Sequence, residues 1–212
     1  MNSSSSIKIT VISCLLFISL VAGLFVYTTI APKELTVSEY KDIGFYKLVR
    51  ARQINDFELS LEEGQYTKTN LSGAWDVLFL GFASCPDMCP MTMKKMAMAK
   101  AKLTEEIASE INFVMISVDP DRDTPKKILK YAKAFDKSFI GVSGAIDVTY
   151  KIATDLTLPF VPVVDSETKN YDMDHSMNLA VIDPSGNYFG FFKSPHDPEK
   201  MAQVLESIVT FN

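Results

Sequence analysis

Residues 9–31, Ile-Thr-Val-Ile-Ser-Cys-Leu-Leu-Phe-Ile-Ser-Leu-Val-Ala-Gly-Leu-Phe-Val-Tyr-Thr-Thr-Ile-Ala, contain no charged side chain. At about 1.5 Å per residue, a helix of this length crosses the roughly 30 Å hydrocarbon core of a bilayer. The stretch is longer than the apolar part of a secretory signal, and no clear A-x-A site closes it. A weak cleavage candidate after Gly23 lies inside the run, and Pro32 opposes cleavage after Ala31. The expectation is a retained anchor over 9–31, with residues 1–8 cytoplasmic. Lys8 precedes the span with no acid beside it, while charges of both signs follow, so the rest of the chain is expected on the exported side. The leading segment is too short and too poor in arginine for an organellar transit peptide. These features predict a single-pass protein of a bacterial inner membrane with its soluble domain in the periplasm.

Beyond the anchor, residues 32–49 read as a tether and residues 50–212 as one domain with its own core. The exported part holds 20 basic and 26 acidic residues, about −6 in formal charge, and lacks the basic face that a nucleic-acid partner needs. Cys14 lies in the span. The domain therefore has one cysteine pair, Cys85 and Cys89, too few for a disulfide framework and too close in sequence to restrain a long loop.

Residues 57–61 alternate as a half-buried strand does, Glu63-Gly64 supplies a turn, and residues 65–71 could return as the hairpin partner. Residues 77–83 and 111–118 are short apolar runs of the kind buried on both faces in a parallel sheet. Residues 90–110 are helical in composition, and Thr124-Pro125 opens another helix as cap and first residue. A strand at 139–142, a helix at 145–156 and an irregular stretch at 157–174 follow. The hairpin 178–192 turns at 184–187, and Asp197-Pro198 starts a last helix. An N-terminal hairpin followed by β-α-β-α-β-α-β-β-α predicts an α/β domain of thioredoxin-like fold. Its cysteines stand where a strand ends and a helix opens.

That position favours thiolate at Cys85, because helix N-termini present unpaired N–H groups. Cys89 is one turn along on the same side, so the pair can share a soft ion, or join as a disulfide if the first turn distorts. Packing as buried structural cysteines is the plain alternative, and the flanking Pro86 and Pro90 argue against it. Only His175 and His196 can add imidazole. Two thiolates and one imidazole make a poor structural zinc site but suit Cu(I), or Cu(II) with a further ligand. His196 reads as a surface-loop residue. His175, just ahead of a strand, takes the place where thioredoxin-like oxidoreductases carry a cis-proline packed against the cysteines, so its ring is expected to face the sulfurs. Met88, Met91, Met93, Met96 and Met98 cannot all face one ion. Most are expected in the core, leaving Met88 as the one candidate thioether.

Residues 82–90 (Phe-Ala-Ser-Cys-Pro-Asp-Met-Cys-Pro), 116–125 (Ile-Ser-Val-Asp-Pro-Asp-Arg-Asp-Thr-Pro), 139–144, 174–176 (Asp-His-Ser) and 182–186 together resemble the Sco/SenC family. These are membrane-anchored thioredoxin-fold copper proteins that help assemble the CuA centre of cytochrome c oxidase. The resemblance runs in order from about residue 50 to the C-terminus. It implies Cys85, Cys89 and His175 as copper ligands, a copper ion as cargo, and Asp119, Arg122 and Asp123 as structural or docking residues. It also implies the copper-site subunit of the oxidase as partner, with other copper chaperones as further partners. Two functions follow: a metallochaperone without enzymatic turnover, or a thiol–disulfide oxidoreductase that keeps the oxidase cysteines reduced through a redox-active Cys85–Cys89 pair. A peroxidase centred on Cys85 lacks the expected threonine and arginine setting.

Overall fold

The computed structural model describes residues 3–30, 34–164 and 171–212. The N-terminal segment forms α1 (Ser3–Ile30), within which Ile7–Thr28 is long and apolar enough to cross a membrane, with mean hydropathy 2.7. Residues from Glu34 onward form a separate unit. In α2 (Val37–Asp42) the Thr36 side chain accepts from the Glu39 N–H, and the Glu39 carboxylate accepts from the Thr36 N–H, a complete capping box. β1 (Phe45–Gln53) follows. Residues 34–49, expected within a tether, thus belong to the folded unit. Their buried Tyr40 and Phe45 pack edge to face at 5.4 Å, and Phe45 meets Phe192 at 4.9 Å. Those partners come from the far end of the chain. β1 itself buries only Phe45 fully, which leaves no period-two signal to read.

β2 (Glu58–Ser60) and β3 (Gln65–Thr67) form the expected small hairpin, but the second strand stops at Thr67. There the Asn70 side-chain oxygen accepts the Thr67 N–H at 2.7 Å and winds Lys68–Leu71 into a 3-10 turn. β4 (Trp75–Gly81) is buried along its whole length. The single helix expected at 90–110 is two, α3 (Met88–Lys100) and α4 (Glu105–Ser109), because the Thr104 side chain accepts from the Ile107 N–H and starts a new one. β5 (Ile111–Ser117), α5 (Pro125–Lys133), β6 (Ile140–Val142) and α6 (Ile146–Leu156) agree with the sequence reading to within a few residues, and Thr124 caps α5 as expected. A Cβ on Gly141 would lie 2.4 Å from the Ile128 carbonyl oxygen, so only glycine lets α5 press this closely on β6.

The stretch at 157–174, expected to be irregular, instead contains β7 (Phe160–Val164) and β8 (Tyr171–His175), an antiparallel pair in which Phe160 faces His175. Pro162 is tolerated because this is a separate two-stranded ribbon, where each strand has a free edge. Residues 165–170 of that stretch lie outside the described residues. β9 (Leu179–Ile182), β10 (Asn187–Phe192) and α7 (Pro198–Phe211) complete the chain, with Asp197 capping α7. The main sheet runs β1-β10-β9-β4-β5-β6, with β4, β5 and β6 parallel and β9 antiparallel to β4. The chain has the α/β, thioredoxin-like fold, and its central strand β4 delivers the cysteine loop.

One buried group in this sheet works against it. Asp76 on β4 is inaccessible to solvent, and neither carboxylate oxygen has a hydrogen-bond partner among the described residues. Burial pushes its pKa up to about 7. A carboxyl whose folded pKa is raised contributes stability that is complete below its unfolded pKa and lost as pH rises through about 7. Asp76→Asn is therefore expected to raise the melting temperature more at pH 8 than at pH 4.5. A carboxyl held near 7 in place of its ordinary value bounds the gain at about 4 kcal/mol. Thermal melts of both proteins across that range check this, because the difference between them isolates Asp76 from the histidines.

Candidate metal centre

Beyond Gly81 the chain turns through residues 82–86, with the Cys85 N–H bonded to the Phe82 carbonyl at 3.3 Å. Asp87 occupies the cap position and Cys89 is the second residue of α3, so Pro86 stands just outside the helix. The Cys85 sulfur still accepts from the Cys89 N–H at 3.4 Å, one of the first-turn donors without an intrahelical partner. Cys85 is half-buried and Cys89 fully buried, and both are free thiols. Gly81 makes room for the second: a Cβ there would sit 3.1 Å from the Cys89 Sγ and 2.7 Å from the Phe79 ring.

His175 reaches the pair from the end of β8. Its Nε2 lies 3.2 Å from the Cys89 Sγ and its Nδ1 3.2 Å from the Ser176 carbonyl. A carbonyl only accepts, so Nδ1 carries the hydrogen and the Nε2 lone pair faces the sulfur. Phe79 and Phe82 pack against the imidazole with centroids at 5.7 and 5.8 Å. Burial lowers the His175 pKa against the opposing pull of the Ser176 carbonyl and Asp174, and burial also pushes the Cys89 thiol up. Both shifts favour the uncharged forms, a thiol able to donate to a neutral imidazole. A metal held on the Cys89 sulfur would have to displace its proton.

The donor atoms of Cys85, Cys89 and His175 all lie within 4.8 Å of one another. Bonds of about 2.0–2.3 Å to one ion cap donor separations at about 4.6 Å, so the three atoms could share one metal after a modest closure. No fourth Cys, His, Asp or Glu joins the group among the described residues. Two sulfurs and one nitrogen, partly open to solvent at Cys85, fit copper better than structural zinc.

The segment 119–124 braces this loop. The buried Asp123 carboxylate accepts from the Ala83 N–H at 2.8 Å and from the Ser117 hydroxyl at 3.0 Å, and Lys127 Nζ stands 3.0 Å from its other oxygen. Arg122 pairs with Asp119 and lies over the Phe82 ring at 5.6 Å, the ring that packs on His175. These residues fix the cysteine loop and stand outside the ligand group. Their resemblance to a family signature was the signal that marked them. Nothing in the sequence marked Ala83 as the point of attachment.

Two expectations about neighbouring residues change. His196 is buried, not a surface-loop residue: its Nε2 donates to the Met177 carbonyl at 2.7 Å, and burial lowers its pKa. Of the five methionines in α3, Met93 and Met96 are in the core, while Met88, Met91 and Met98 are exposed. Cys89, Thr92, Met93, Met96 and Ala99 form the one buried stripe of α3, and the other three methionines lie off it, so fewer are in the core than expected. Met88 lines an opening of about 270 Å³ together with Cys85, His175, Met173 and Met177.

Comparison with known proteins agrees with this geometry. The family model described as SCO1/SenC matches residues 47–210. A protein of Stutzerimonas stutzeri named for copper binding is 34% identical over 76% of this chain and 79% of its own length. The mitochondrial SCO1 homolog 1 of Arabidopsis thaliana is 32% identical over 68% of this chain, which spans only 43% of that longer protein. Among solved structures, Arabidopsis thaliana ScoI with copper bound has a TM-score of 0.67 at 29% identity, covering 74% of this chain and 98% of that one. Bradyrhizobium japonicum ScoI with copper bound gives 0.64 at 28%, covering 73% and 98%. With its thiol pair, its facing imidazole and its thioredoxin-like sheet, this chain belongs to the SCO1/SenC family.

Proposed function

We propose that this protein is a membrane-anchored metallochaperone that receives copper on Cys85, Cys89 and His175 and delivers it to the CuA-bearing subunit of cytochrome c oxidase. In this reading α1 anchors it in a bacterial inner membrane, the folded unit faces the periplasm, and other copper chaperones supply the ion. The carrying observation is the convergence of three soft or borderline donors from two distant segments, the cysteine loop and the β7–β8 ribbon. Relatives with copper bound support it. The half-buried Cys85 gives an incoming thiolate a route to the ion, so copper can pass by ligand exchange without being released to water.

The test is transfer. Copper-loaded protein mixed with the metal-free, reduced CuA domain of an oxidase subunit is expected to lose its copper to that domain within minutes, measured by separating the two and counting metal in each. Copper that stays put, or moves no faster than it leaves in the absence of the acceptor, would reject delivery.

The unequal burial of the two free thiols favours one second reading, a protein-disulfide reductase. The Cys85 thiolate would attack an acceptor disulfide and form a mixed disulfide, expelling one acceptor thiolate. Cys89, losing its proton, would then expel the second and close a Cys85–Cys89 disulfide, so two electrons pass to the acceptor. The same mixture, assayed for acceptor thiols, measures it.

A further inference from the structure

Four short contacts tie the ligand histidine to a part of the chain that takes no part in the site. Ser176 N–H donates to the Pro159 carbonyl at 2.9 Å, and the His175 ring bonds the Ser176 carbonyl. One and two residues further on, this loop is gripped by the segment between β10 and α7. There the His196 imidazole donates to the Met177 carbonyl, and the Asn178 side-chain oxygen accepts from the Ser194 N–H at 3.1 Å. A carbonyl accepts only, so the His196 hydrogen sits on Nε2. Nδ1 is then a bare acceptor, buried and without a hydrogen-bond partner among the described residues. An imidazole that leaves one polar atom unsatisfied in the interior is expensive as mere filling. An apolar side chain of the same size would avoid that cost, but it could not hold the Met177 carbonyl.

We propose that His196, with Asn178, is a positioning clamp that fixes the residue 176–178 loop and thereby sets the direction in which His175 presents its Nε2 to the metal. This rests on the copper reading and extends it: the second histidine is not a ligand but aims the first. The clamp matters most for the imidazole bond. The thiolates of Cys85 and Cys89 are held independently, by α3 and by Asp123.

The full chain in detergent tests this with three variants, His196→Leu, His196→Gln and Asn178→Ala. Glutamine can offer an N–H near the position of the imidazole Nε2, and leucine cannot. Outer-shell partners of metal ligands typically change affinity 10–100-fold. For His196→Leu the expected result is a Cu(II) dissociation constant about tenfold higher, with weakened imidazole nitrogen hyperfine coupling in the electron paramagnetic resonance spectrum. Copper stoichiometry under reducing conditions should be unchanged. His196→Gln should restore both the constant and the spectrum, and Asn178→Ala should shift them in the same direction as leucine. If His196→Leu does not fold, Asn178→Ala and His196→Gln decide the matter on the same readouts. A folded leucine variant, or Asn178→Ala, with the wild-type spectrum and constant overturns the clamp, as does a glutamine variant as impaired as leucine. A wild type that holds no copper overturns the copper reading itself, a result distinct from an unaffected variant.

Discussion

His175→Ala is expected to bind copper far more weakly while keeping its ability to reduce a disulfide. Four-donor zinc sites bind with roughly 10–16 kcal/mol, or about 2.5–4 kcal/mol per donor. Removing one of three donors here should weaken copper binding about 10²- to 10³-fold, since each 1.4 kcal/mol is tenfold. The substitution removes the lone pair 3.2 Å from the Cys89 sulfur and leaves both thiols in place. It also takes away the acceptor of the Cys89 proton, so a modest slowing of thiol chemistry is consistent, whereas its disappearance is not. Competition titrations against a chelator of known affinity, beside a disulfide-reduction assay of the same preparations, check both halves. If copper affinity is unchanged in the variant, the imidazole is not a ligand.

The second large effect is remote from the metal. Asp123→Ala removes the carboxylate that accepts from the Ala83 N–H and the Ser117 hydroxyl. Hydrogen bonds to a charged partner are worth about 1.5–3 kcal/mol each, and the two orphaned donors are buried or nearly so, giving a loss of about 3 kcal/mol or more. The ion pair to Lys127 adds little to that figure, because the lysine side chain is half exposed. In a domain of this size such a loss lowers the melting temperature by about 10 °C. It also frees the cysteine loop two residues before Cys85, so copper affinity should fall with stability. Asp123→Asn, which keeps an acceptor oxygen, should recover part of both. Thermal melts and copper titrations of the two variants separate the hydrogen-bonding role of Asp123 from its charge.

Much of this was legible in the sequence because the informative residues act locally. The cysteines announce themselves by spacing and by the apolar run before them, and Thr124-Pro125 and Asp197-Pro198 start helices through their own side chains. What was not legible depends on partners far away in the chain. β1 is a strand because β10 pairs with it and because Phe45 finds Phe192, neither of which leaves a periodic trace in residues 45–53. The β7–β8 ribbon looked irregular because its exposed Val161 and Val163 alternate with a proline and a buried neighbour outside the main sheet. His196 looked like a surface residue because its flanks are polar and proline-rich, yet the bond to the Met177 carbonyl draws it inside. His175 was found from its position before a strand, but the tautomer that frees its Nε2 is set by the Ser176 carbonyl, which only the folded chain reveals.

X-ray absorption at the copper edge of the loaded, reduced protein weighs most heavily on the reading. Two sulfur scatterers and one imidazole per copper are expected, and the imidazole signature should vanish in His175→Ala. A copper bound by sulfur alone, with the same spectrum in the variant, would contradict it.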